Sequence, residues 1–198
     1  MTATIGVLAV QGDVREHRTK LEELGADVIE VRLPEQLDGL DGLVLPGGES
    51  TAMARLIDLY GLFGPLSSFD GAILGTCAGM ILLAEGVLDG NPAQRTLGLL
   101  DVAVRRNGYG RQVQSFEAQV ELTDGSDPLP GVFIRAPRIE RVGDGVDVLG
   151  VLNDEPVLVR QGSVLAAACH PELTDDNRVH RRLIDLALTS RDEHLATA

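Results

Sequence analysis

Short apolar runs at residues 5–10, 28–31, 42–45 and 72–76 alternate with helix-like segments through the first half of the chain. This alternation constrains the fold more than any other feature. Runs that are apolar on both faces belong to strands covered on both sides, and strands separated by helices return in parallel through right-handed crossovers. The intervening segments read as helices at residues 14–24, closed by Gly25, then at about 51–60 and 78–84. Trp is absent and aromatics are 3%, so the core must be built from Leu, Val, Ile and Ala, as in buried parallel sheets.

From about residue 98 the texture changes. Short β-rich runs appear at 100–104, 116–122, 132–134, 146–152, 157–159 and 164–168, separated by turn clusters such as Asp124-Gly125-Ser126-Asp127. They read as hairpins or antiparallel additions to the main sheet. A last helix is expected at about 177–189, with a frayed tail from about 191. The expectation is an α/β fold with a mainly parallel central sheet, as a single domain over residues 1–198.

The formal charge of −13 leaves no basic stripe for nucleic acid and no polybasic patch for a membrane surface. No run approaches the roughly 20 apolar residues of a membrane helix, and the start lacks a basic signal region. Two cysteines make no disulfide framework. The expectation is a cytoplasmic, reduced protein in which a cysteine is free to act as a nucleophile.

Gly75-Thr76-Cys77-Ala78-Gly79 stands where a strand turns into a helix, with the glycine-flanked pattern of a nucleophile elbow and Cys in the serine position. The turn lifts the thiol above the sheet edge, at a helix N-terminus that favours thiolate. A small buried cysteine in a tight turn is the plainer alternative. His170-Pro171-Glu172 ends the apolar run at 164–168. If the chain stays extended there, His170 and Glu172 point to one side, and the acid orients the ring toward the thiol. Paired with the elbow, this reads as a Cys-His-Glu triad rather than a solvated strand end. Cys169 reads as core packing, and His17, His180 and His194 as solvated; no Cys/His spacing suggests zinc. Pro46-Gly47-Gly48-Glu49-Ser50 forms a second strand-to-helix turn. The N–H of Gly48, with that of Ala78, could form an oxyanion hole; the plainer reading makes Ser50 a helix N-cap. For an amino-acid substrate, Arg106 and Arg135 suit a carboxylate and Glu49 an ammonium.

These motifs resemble those of the glutaminase subunits of pyridoxal phosphate synthase, which are class I (triad-type) glutamine amidotransferases. The likeness runs over about residues 5–188. Besides the elbow, it is carried by Gly6-Val7-Leu8 with Gln11-Gly12, by Pro46 to Thr51, and by Arg106-Asn107, Gly110-Arg111-Gln112 and Ser115-Phe116-Glu117. Gly131-Val132-Phe133-Ile134-Arg135-Ala136-Pro137 and His170-Pro171-Glu172-Leu173-Thr174 complete it. The resemblance implies a three-layer α/β/α flavodoxin-like sandwich and a triad of Cys77, His170 and Glu172. It implies an oxyanion hole from the Gly48 and Ala78 backbone, and a glutamine pocket of Gly48, Glu49, Ser50, Arg106, Ile134 and Arg135. No cofactor or metal is implied. The implied partner is a barrel-fold synthase in a double hexameric ring, with one glutaminase per synthase subunit. It takes ammonia into pyridoxal 5'-phosphate from ribose 5-phosphate and glyceraldehyde 3-phosphate. The glutaminase is implied to be nearly inactive until docked, with the Gln11-Gly12 loop near the interface. Rival readings are the glutaminase of another biosynthetic amidotransferase, a peptidase or γ-glutamyl hydrolase acting alone, and a silent flavodoxin-like docking module.

Overall fold

The computed structural model describes residues 2–90, 95–108 and 115–197, with side chains through residue 192. The Gly110-Arg111-Gln112 stretch therefore lies outside the described residues, as does the His194 side chain.

The apolar runs of the first half become β1 (Thr4–Leu8), β2 (Asp27–Val31), β3 (Gly42–Leu45) and β4 (Ala72–Thr76). The helices between them are α1 (Val14–Glu23), α2 (Ser50–Leu59), the short α3 (Phe63–Ser67) and, after β4, α4 (Ala78–Leu83). The second half supplies β5 (Ala84–Val87), β6 (Leu100–Arg105), β7 (Phe116–Leu122), β8 (Leu129–Phe133) and β9 (Arg138–Val142). It ends with β10 (Asp147–Leu152), β11 (Glu155–Gln161), β12 (Val164–Ala167) and the helix α5 (Arg178–Thr197).

Nine of these strands form one sheet in the order β2-β1-β3-β4-β12-β11-β10-β7-β8. The pairings from β2 to β12 are parallel and those from β12 to β8 antiparallel, so the antiparallel additions equal the parallel half in extent. The crossover from β1 to β2 steps one way along the sheet and that from β3 to β4 the other. Right-handed crossovers then put α1 and α2 on opposite faces. α1 packs with α5, and α2 with α4, giving the three layers. The core is aliphatic, with Ile5, Leu8, Leu43, Leu45, Ile73 and Leu74 fully buried; Phe133 is its one fully buried aromatic among the described residues, stacked 4.9 Å from Phe116.

Three expectations need correction. The run at 100–104 does not join the main sheet; as β6 it forms a separate three-stranded sheet with β5 and β9, two strands that the sequence pattern did not single out. The last helix does not end at about 189 but extends to Thr197. Glu49 rather than Ser50 caps α2, its carboxylate accepting from the N–H groups of Thr51 (3.0 Å) and Ala52 (2.7 Å), while Ser50 is buried in the first turn.

Candidate active site

Ligands of open α/β sheets bind at the carboxyl ends of the strands, where the strand order reverses. Here that point lies between β1 and β3. The loop after β1 carries Gln11 to Asp13, that after β3 carries Gly47 to Glu49, Cys77 follows β4, and His170 and Glu172 follow β12. Because β12 runs parallel to β4 beside it, the last two loops end on the same edge.

Cys77 occupies a sharp elbow, with φ 47° and ψ −102°. Its N–H donates to Ala167 O (2.8 Å), tying the turn to β12. A Cβ on Gly79 would fall 1.9 Å from Leu45 O, so only glycine lets α4 sit this close to β3. The thiol is nearly buried and faces Ile134 O at 3.9 Å.

His170 Nδ1 donates to Glu172 Oε1 over 2.8 Å. The route to this contact differs from the extended chain expected. The strand stops at Ala167, and Pro171 starts a single 3-10 turn over Pro171–Leu173 that brings the acid back under the ring. Proline suits that first helical position because it has no N–H to leave unpaired. A second carboxylate, Asp13 Oδ2, lies 3.2 Å from the same Nδ1. Burial works to lower the His170 pKa, but hydrogen bonds to Asp13, Cys77 and Glu172 outweigh it and hold the ring well above its ordinary value. Burial of Glu172 would raise its pKa, yet His17 and His170 hold it well below the carboxylate range. Cys169 is buried, and desolvation pushes its thiol up to about 12, so it stays a protonated core residue.

His17 and His180 are not solvated. Both are fully buried, His17 on the inner face of α1 above Leu21 and His180 on α5. His17 Nε2 is 3.1 Å from Thr76 Oγ1 and 3.4 Å from Glu172 Oε2, and its Nδ1 is 2.9 Å from His180 Nε2. Charged neighbours such as Arg15, Glu16 and Arg18 on α1 suggested a solvated helix, but a helix shows each face only every 3.6 residues and His17 lies on the inward one.

These loops enclose a cavity of about 310 Å³. Gly48, Glu49, Ser50, Cys77, Ala78, Arg106, Ile134, Arg135 and His170 all line it, and Glu172 stands behind His170. Two loops are pinned together: Asp13 N–H donates to Gly47 O (3.2 Å), and Glu49 N–H to Gln11 Oε1 (2.8 Å). In a trans peptide the Gly48 N–H then points away from Asp13. The Glu49 carboxylate also pairs with Arg106 (3.2 Å), whose guanidinium donates to Thr51 Oγ1 as well. Burial would raise the Glu49 pKa, but the helix N–H groups and Arg106 lower it on balance.

A model of the SNO glutamine amidotransferase family matches residues 7–188. The chain belongs to that family. Among relatives of this SNO amidotransferase, pyridoxal 5'-phosphate synthase subunit PdxT of Deinococcus radiodurans is 55% identical over 190 residues, 93% of this chain and 97% of that protein. The subunit of the same name from Frankia alni is 52% identical over 191 residues, 94% of this chain and 96% of that one. A solved structure described as a glutamine amidotransferase superposes with a TM-score of 0.86 at 49% identity, covering 92% of this chain and 98% of that one.

Sequence reasoning missed Gln11, Asp13, Ile81 and Asn107 among the cavity residues of this amidotransferase, and His17 and His180 behind it. For His17 a signal existed, since Val14, His17 and Leu21 fall on one helical stripe. For Asp13 there was none.

Proposed function

We propose that this chain is the glutaminase subunit of a pyridoxal 5'-phosphate synthase, hydrolysing glutamine to glutamate and ammonia. What carries the reading is one thiol, one imidazole and one carboxylate converging from two neighbouring strand ends, with Cys77 on the cavity wall and His170 Nδ1 bonded to Glu172. The resemblance to PdxT subunits supports the same assignment.

In this mechanism His170 Nε2 takes the thiol proton and Cys77 attacks the side-chain amide carbon of glutamine. The oxyanion is received by the N–H groups of Gly48 and Ala78. Ala78, first in α4, has an N–H with no acceptor inside the helix. His170 then gives its proton to the departing nitrogen, ammonia leaves, and a thioester remains. Water, activated by the same ring, splits the thioester to glutamate and restores the thiol. Glu172 keeps the ring in the required tautomer. Arg106 and Arg135 receive the substrate carboxylate, Glu49 the ammonium, and Ser50 and Ile134 complete the pocket.

Ammonia is mostly protonated in neutral water and non-nucleophilic in that form, so its use requires a sealed route into the synthase. That partner is a barrel-fold subunit in a double hexameric ring, one glutaminase docking on each. The reaction belongs in the cytoplasm, where Cys77, a free cysteine, stays reduced. The test is glutamate release by wild type and by Cys77→Ala, with and without the synthase. Wild type turns over when docked and little alone, and the alanine chain falls to background. Release by Cys77→Ala at the wild-type rate overturns the reading.

A further inference from the structure

The triad uses one oxygen of Glu172. The other, Oε2, is buried and makes no hydrogen bond among the described residues. Leaving a carboxylate oxygen so is costly unless an opposite charge or a donor faces it. His17 Nε2, 3.4 Å away, does face it. An unprotonated Nε2 would set its lone pair against the carboxylate, so this nitrogen carries the proton. His17 Nδ1 then pairs with His180 Nε2 (2.9 Å), leaving His180 Nδ1 buried with no partner among the described residues.

We infer that His17 is a positioning residue for glutamine hydrolysis, holding Glu172 ionised and rotated so that Oε1 meets His170. The inference rests on the proposed glutaminase reading. Four elements meet at His17: α1 supplies it, the end of β4 supplies Thr76, the turn after β12 supplies Glu172, and α5 supplies His180. A histidine pair that only filled space between α1 and α5 would be better replaced by aliphatic residues, because it strands His180 Nδ1 in the core. The geometry makes sense if Nε2 is needed at Glu172. The ionisable groups around Glu172 are His17 from α1, His180 from α5, and Cys169 and His170 from its own loop, with Asp13 and Cys77 beyond His170. Burial, with His17 alongside, pushes His180 down to about 3, so that ring stays neutral. His17 Nε2 is the ring nitrogen that stands 3.4 Å from Oε2.

Two amide isosteres separate the roles of the two ring nitrogens. Gln at position 17 reaches with an N–H where Nε2 stands, facing Thr76 and Glu172. Asn is shorter and keeps only the place of Nδ1, facing His180. In the assembled synthase complex, His17→Asn is expected to lower kcat for glutamate release by about tenfold or more, as loss of such outer partners commonly does, with KM within about twofold. Its acid limb of kcat moves to higher pH, because Glu172 then protonates more readily. His17→Gln is expected to keep kcat within about threefold and leave the limb in place. A residue that merely supported His180 would give the opposite order.

Carboxyl carbon NMR of Glu172 in the full free chain reads the same point without any turnover. The titration should move up in the Asn chain and stay low in the Gln chain. If wild type in the complex hydrolyses no glutamine, the proposed function falls while the carboxyl titration still judges His17. If wild type turns over and both variants match it, or Gln is as impaired as Asn, the inference about His17 is overturned. Loss of the folded state in the Asn chain, alone or in both, would assign the ring a structural role and overturn it too.

Discussion

Replacing Gly47 with alanine would put a methyl carbon 2.3 Å from His170 Cε1, 2.8 Å from its Nδ1 and 2.9 Å from Asp13 Oδ2. Ordinary contact begins at 3.4 Å, so the ring would have to retreat by about 1.1 Å. It has little freedom to do so. His170 N–H is bonded to Val132 O at 2.8 Å, Pro171 restricts the following backbone, and Nδ1 is held by Glu172. A displacement of about 1 Å in a reacting group costs on the order of a hundredfold in rate, which corresponds to about 2.7 kcal/mol of barrier. Overpacking should also cost the fold roughly 1–3 kcal/mol. The assay is glutamate release by the docked chain at saturating glutamine, with a thermal melt of the same sample. The expected result is a folded protein with kcat down about a hundredfold. A folded Gly47→Ala chain with kcat within about threefold of wild type would show that the ring position is not what this glycine protects.

Two further outcomes are expected. Asp13→Asn removes the more exposed of the two carboxylates on His170 Nδ1, so the His170 titration should move down while kcat falls by less than about tenfold. Imidazole NMR and steady-state rates check this, and a loss equal to that of Glu172→Gln would refute the ranking. Glu172 has a folded pKa below its ordinary 4.5, so it contributes stability that is complete above that pH and is lost as pH falls toward the folded value. Thermal melts should therefore show the advantage of wild type over Glu172→Gln shrinking below about pH 4.5, by at most about 1.4 kcal/mol per pH unit. A difference independent of pH would contradict the depressed pKa.

The parallel half of the sheet was readable because each of its strands is an apolar run closed by a turn or a helix, and both signals are local. The elbow and the His-Pro-Glu step were readable for the same reason: few residues, fixed spacing, and chemistry written in residue types. The small sheet was harder. β5 follows α4 without a break and β9 reads Arg-Ile-Glu-Arg-Val, neither of which shows a buried periodicity.

Local pattern thus decided the strands and helices of the parallel half, and it put Cys77, His170 and Glu172 at the ends of two strands that prove to be neighbours. It could not decide which groups stand behind them. His17 and Glu172 are brought together from opposite ends of the chain, and His17 and His180 are 163 residues apart. Whether a histidine on a charged helix ends in water or against a buried carboxylate depends on which face the sheet covers, and on what the neighbouring strand ends bring to that face. That is a property of the assembled layers, because desolvation and pairing arise only when distant segments close over one another.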